Sequence, residues 1–197
     1  MQLNRREFIA TTSAALLAGA TTSKATAVYA GKLCFFSKHL PDLDWPRLAQ
    51  TVKRLGFTGI DLTVRPGGHV KPERAAEDLP KAVAAIRAES LEVPMITTGL
   101  LAADDPTAQP ILSAAGKLGI SYFKVGYYRY AYADIRREQQ QAAQALRALV
   151  ELSSKHQVQA GYHNHSGYIG GPIWDFAPFI EALDPRWVAI TSTRITP

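Results

Sequence analysis

Gly59-Ile60-Asp61-Leu62-Thr63-Val64-Arg65-Pro66-Gly67-Gly68-His69 reads as a strand running into a turn, and its alternation sets the reading of the whole chain. Successive side chains of an extended backbone point to opposite faces, so Ile60, Leu62 and Val64 fall on one side and Asp61, Thr63 and Arg65 on the other. The apolar side suits packing against helices. The polar side needs water, an internal partner or a ligand. The same division returns in Tyr122-Phe123-Lys124-Val125-Gly126, where Phe123 and Val125 oppose Tyr122, Lys124 and Gly126. It returns again in Gly161-Tyr162-His163-Asn164-His165, where His163 and His165 share a side.

Working outward, short strand-type runs at 33–36, 60–64, 93–98, 122–125, 160–164 and 188–190 alternate with segments of helical spacing. The starts recur roughly every 30 residues, the length of one βα unit. Between them, Leu48, Val52 and Leu55 are spaced as one apolar helix face. So are Leu79, Val83 and Ile86, then Ile111, Ala115 and Leu118, then Ala142, Leu146, Leu149 and Leu152. Asp44 stands as an N-cap ahead of Trp45-Pro46, and Asp105 stands likewise before Pro106. Gly56 and Gly119 end two helices at the left-handed position, in Lys53-Arg54-Leu55-Gly56-Phe57 and Gly116-Lys117-Leu118-Gly119-Ile120. Repeated βα units with largely apolar strands demand a parallel sheet covered by helices, in a closed barrel or an open doubly wound sheet. Periodicity leaves both open. Leu33-Cys34-Phe35-Phe36-Ser37-Lys38 is not followed by a glycine-rich phosphate loop, which argues against dinucleotide binding.

The first 30 residues read differently. Asn4-Arg5-Arg6-Glu7-Phe8-Ile9 places twin arginines before an apolar run to Ala20, and small-residue cleavage sites follow at Ala25-Thr26-Ala27 and Val28-Tyr29-Ala30. This resembles a twin-arginine export signal over 1–30, leaving 31–197 as the mature domain. The resemblance implies a bacterial periplasmic or secreted location and the twin-arginine export machinery as a partner. The run is shorter than the ~20 apolar residues a membrane span needs, so a stable anchor is not expected.

The 197 residues are 47% apolar, enough for one core, with a net charge of +5 that falls to about +3 without the leader. No run of Lys and Arg or basic–aromatic interleaving suggests a nucleic-acid surface. Cys34 has no second cysteine to pair with and reads as a core residue.

In a barrel the polar strand faces line the lumen, with ligands held at the C-terminal strand ends. On that reading His163, His165 and Lys124 are the catalytic candidates, and Asp61, Arg65, His69, Asn164 and Tyr128 the substrate-binding ones. Structural alternatives stand beside these. Asp61 with Arg65 or Lys124 can be an ion pair filling the barrel floor. Gly67 and Gly68 beside His69 can bring backbone close to a ligand or simply make a turn. The aromatic cluster Tyr127-Tyr128-Arg129-Tyr130-Ala131-Tyr132 can stack on a sugar ring or wall off solvent.

Asp61 through His69, Lys124 through Tyr130, and Gly161-Tyr162-His163-Asn164-His165-Ser166-Gly167 together resemble the sugar phosphate isomerase/epimerase family, with its xylose isomerase-like TIM barrel. The likeness runs from about residue 32 to residue 190. It implies an α/β fold, a parallel (β/α) barrel with about six of its usual eight units, and a small carbohydrate or polyol substrate. It also implies proton transfer between adjacent carbons assisted by a divalent metal. His163, Asn164 and His165 stand where many relatives carry a glutamate ligand; the resemblance makes His163 and His165 metal or proton-transfer candidates, with His165 the candidate ligand in an otherwise unassigned metal set. The sixth strand ends Val188-Ala189-Ile190-Thr191-Ser192-Thr193-Arg194, where an Asp and a His would be expected. The chain is accordingly read as an incomplete barrel, truncated or frameshifted, in which a complete metal site is not expected. The competing readings are a catalytically inactive fragment that still binds carbohydrate, and a nuclease of the same barrel type. The nuclease would require several metal-binding side chains and a basic DNA face.

Overall fold

The computed structural model describes residues 31–191; the expected export signal lies outside them. Six strands alternate with five α-helices: β1 (Cys34–Phe36), α1 (Trp45–Arg54), β2 (Gly59–Val64), α2 (Ala75–Ala88), β3 (Glu92–Thr98), α3 (Ala108–Lys117), β4 (Tyr122–Lys124), α4 (Ile135–Lys155), β5 (Gln159–His163), α5 (Ile173–Glu181) and β6 (Val188–Thr191). Short 3-10 turns occupy Ser37–His39 and Pro72–Arg74. Every strand pairs in parallel with the next, in the order β1-β2-β3-β4-β5-β6, with β1 and β6 at the edges among the described residues. This is the parallel, helix-covered sheet of an incomplete TIM-type barrel.

Local chemistry explains the element boundaries. The Asp44 carboxylate accepts the Arg47 N–H at 2.9 Å and caps α1. Gly56 and Gly119 adopt φ of +84° and +70°, the left-handed turn out of α1 and α3. Asp105 departs from expectation. It accepts from Thr107 N at 2.7 Å and Thr107 Oγ1 at 2.6 Å, closing a turn, so α3 starts at Ala108 rather than at Pro106. Leu55 departs too. It lies past the last residue of α1, and having left the helix face it is 59% exposed, while Leu48 and Val52 are fully buried.

The core is the layer between strands and helices. Ile60, Leu62 and Val64 of β2, Ile96 of β3 and Phe123 of β4 are all 0% exposed. They meet Leu48, Leu79, Ile86, Ile111, Leu146 and Leu149 from α1 to α4. Each such side chain contributes about 1.5–3 kcal/mol by leaving water. No helix among the described residues is long and apolar enough to cross a membrane.

Candidate functional site

Register assigns the opposite, lumen face. Asp61 pairs with Phe36 and Met95, Thr63 with Thr97, Thr97 with Lys124, Lys124 with Gly161, and His163 with Thr191. Paired residues of neighbouring strands project to the same side of a sheet. Asp61, Lys124 and His163 therefore come together on one surface from β2, β4 and β5. Cys34 pairs with Gly59 on this same face and is half-buried, not part of the helix-side core; burial raises its thiol pKa, with Asp61 and Glu92 adding to the effect.

The Asp61 carboxylate accepts from the Thr97 hydroxyl, 2.9 Å from each oxygen, and makes no ion pair with Arg65 or Lys124. Burial pushes its pKa up to about 7, against smaller opposing effects of the Thr97 bond, Lys124 and Arg65. Lys124 is 8% exposed, and its Nζ donates to Val125 O at 3.1 Å. Burial, followed by repulsion from Arg65, lowers the ammonium to about 8, with Asp61 pulling the other way. The His163 Nδ1 lies 3.2 Å from Thr191 Oγ1, and burial, Lys124 and His165 hold the ring below its ordinary pKa. Arg65 lies over the Phe36 ring at 5.9 Å.

An aromatic wall closes one side. Tyr127 lies with its ring centroid 3.8 Å from Lys124 Nζ, 6.1 Å from the His163 ring, 5.0 Å from His165 and 4.8 Å from Tyr168. Arg129 stacks over Tyr168 at 4.7 Å and bridges it through backbone. His165 is exposed, with Nδ1 2.9 Å from Ser166 O. His163, Asn164, His165 and the 78% exposed Trp174 line an adjoining cleft of about 720 Å³. Asn164 Nδ2 reaches Gly171 O at 3.5 Å.

Two residues named from the sequence lie elsewhere. Tyr128 is 8% exposed, donates to Leu101 O at 2.7 Å and lies parallel to Tyr162. His69 has both ring nitrogens engaged within the chain, Nδ1 3.1 Å from Thr63 Oγ1 and Nε2 3.1 Å from Leu40 O. Burial lowers its pKa. Gly67 at φ +69° and the Gly68 N–H donating to Arg65 O at 2.8 Å make the adjacent segment a turn. Tyr127 enters the site from the aromatic cluster, and Thr97, Thr191 and Tyr168 join it beyond the residues expected from the sequence, although alternation in 93–98 sets Thr97 with Met95 on one face.

A family model described as a xylose isomerase-like TIM barrel matches residues 49–191. The chain belongs to that family. No curated protein sequence matches it. Solved structures share the family's fold at low identity. A 3-keto-D-glucoside 4-epimerase from E. coli superposes with a TM-score of 0.60 at 14% identity, covering 76% of this chain and 63% of that one. A sugar phosphate isomerase/epimerase from Parabacteroides distasonis gives 0.58 at 15% identity, over 87% and 68%. A xylose isomerase-like TIM barrel protein from Mycobacterium smegmatis, solved in complex with magnesium, gives 0.57 at 16%, over 76% and 57%. The chain thus spans less than two thirds of the first and third of these barrels.

The magnesium complex raises the question of whether this family member holds a metal ion. Among the described residues no three His, Cys, Asp or Glu side chains gather closely enough to hold one. Lys124 and Arg65 also place positive charge near Asp61, as their effects on its pKa record. The donor set at the described strand ends does not fit a divalent ion.

Proposed function

We propose that the chain acts on a small carbohydrate or polyol as an isomerase or epimerase, moving a proton on or between carbons next to a carbonyl. The observation that carries this reading is the convergence of Asp61, Lys124 and His163 on one lumen face. A carboxyl near 7 can give and take a proton at neutral pH, and an imidazole held below its ordinary pKa is a neutral base there. Arg65 supplies positive charge for the oxygen that becomes negative as the proton leaves. The aromatic wall of Tyr127 and Tyr168 offers a flat apolar surface to a sugar ring.

The test is proton exchange. The purified chain is incubated in D2O with a panel of ketoses and aldoses, and deuterium incorporation and interconversion are followed by NMR. Incorporation that Asp61→Asn and His163→Gln each reduce at least tenfold supports the proposal. No incorporation with any sugar that nonetheless binds would leave the second reading, a carbohydrate-binding protein. That reading is favoured by the exposure of Trp174 beside the His163–His165 cleft.

The proposal includes export. Asn4-Arg5-Arg6-Glu7-Phe8-Ile9 supports delivery to the periplasm or medium by the twin-arginine machinery. Residues 1–30 fused to a reporter should export it, and the Arg5→Lys, Arg6→Lys pair should stop export; a reporter that stays inside with the native arginines sinks this part.

A further inference from the structure

Lys124 is the least explained group in the lumen. It is 8% exposed, yet among the described residues no carboxylate forms an ion pair with it. Its contacts are Val125 O at 3.1 Å and the Tyr127 ring at 3.8 Å. Its register partner on β5 is Gly161, so no side chain from that position covers it. Its partner on β3 is Thr97, whose hydroxyl is committed to Asp61. The charged and titratable groups around it are Asp61 of β2, Arg65 just beyond β2, Tyr127 just beyond β4 and His163 of β5. A buried ammonium without an anion is unfavourable as a purely structural element, and lysines are almost never buried unless paired. A lysine kept desolvated next to another cation is, by contrast, the arrangement that frees an amine for attack on carbonyl carbon.

Resting on the reading of a carbonyl-bearing sugar substrate, we propose that Lys124 is a nucleophile that captures the open-chain keto or aldehyde carbon as an imine. The neutral amine attacks the carbonyl carbon, the C–N bond forms as the C=O π bond breaks, and a proton passes from the nitrogen to the oxygen to give a carbinolamine. That hydroxyl then leaves as water with a proton from the Asp61 carboxyl, and a protonated imine remains. The iminium draws electrons from the neighbouring C–H bond, so a base such as His163 removes that proton to an enamine. Return of the proton to either face of the same carbon, followed by hydrolysis, gives back the free amine and a sugar of retained or inverted configuration. No oxidant or reductant is consumed. The iminium thus provides electrophilic activation from the chain's own residues. The lowered ammonium pKa is consistent with a usable fraction of neutral amine in mildly alkaline solution.

Reductive trapping tests this without requiring turnover. The full chain is incubated with glyceraldehyde and sodium cyanoborohydride at pH 7.5 with chelator present, then mapped by peptide mass spectrometry. Lys124 is expected to gain one reduced triose roughly tenfold or more faster than the exposed Lys38, Lys53, Lys81 and Lys117, because a desolvated amine beside a second cation is the more nucleophilic one. Lys124→Arg, which keeps the charge, should lose the fast adduct while retaining the circular dichroism of the parent. Tyr127→Ala should accelerate trapping by uncovering Nζ. Labelling confined to the exposed lysines, or a fast adduct persisting in Lys124→Arg, overturns the proposal. Trapping at Lys124 without deuterium exchange into any sugar would remove the isomerase reading alone. Exchange without trapping would remove the imine alone.

Discussion

The two sides of the same strands differ more than any two strands do. On the helix side, Ile60, Leu62, Val64, Ile96 and Phe123 are completely buried and wholly apolar. On the lumen side, Asp61, Lys124 and His163 are only partly satisfied, and the first two have pKa values drawn toward neutrality from opposite directions. One-residue steps separate the two regimes: Phe123 and Lys124 are sequence neighbours. The difference teaches that stability resides in the outer layer, while the inner face carries polar groups whose burial works against folding. Groups kept in that condition are characteristic of functional sites.

That neighbouring pair should respond most strongly to substitution. Phe123→Ala should lower unfolding free energy by about 3–5 kcal/mol in urea melts, the usual loss for a large buried aromatic. Lys124→Met, one residue away, should stabilise the chain at pH 7, on the order of 1–3 kcal/mol. Its ammonium is held near 8 when folded and near the ordinary lysine value when unfolded. Native Lys124 therefore loses its proton first as pH rises, and the parent gains stability from about pH 8 to about pH 10. The advantage of Lys124→Met should shrink over that window. An advantage that does not change with pH would mean that the charge of Lys124 is not what destabilises.

Asp61, on the same lumen face, gives a pH dependence of the opposite sign. The folded carboxyl keeps its proton up to about 7, the unfolded one to about 4, so folding binds a proton in between and stability falls as pH rises through that window. Asp61→Asn should flatten this slope, with the largest gain above pH 7 and none below pH 4, measured by thermal unfolding across pH. The smallest effect belongs to the rim of the helical layer. Asp44→Ala removes the cap on Arg47 N and should cost about 1 kcal/mol in urea melts.

Local rules carried the outer layer a long way. The six strand positions, the buried helix faces, the Asp44 cap and the left-handed Gly56 and Gly119 are all consequences of near-neighbour geometry, and the structure has them. The departures occur where an element stops. Alternation continued past β4 would turn Tyr128 into the lumen with Lys124. The pleat ends at Lys124, so the parity is lost, and Tyr127 faces the site while Tyr128 bonds Leu101 O in the helix-side core. Leu55 left its helix face for the same reason. The place of His69 after β2 suggests a ligand contact, but its two ring partners, Thr63 and Leu40, are 6 and 29 residues away, and only folding brings the second one in.

By itself, the sequence determined the βα alternation, which face of each strand is apolar, and which strands carry polar residues inward. These follow from backbone periodicity and from the free energy of burying apolar surface, both of which act between residues close in the chain. Tertiary structure alone decided that Asp61 answers to Thr97 and not to an arginine or lysine, that Tyr127 covers Lys124, and that Lys124 is buried without an anion. Those depend on strand register and on desolvation, which are properties of distant segments packed together and have no signature in any single stretch of chain.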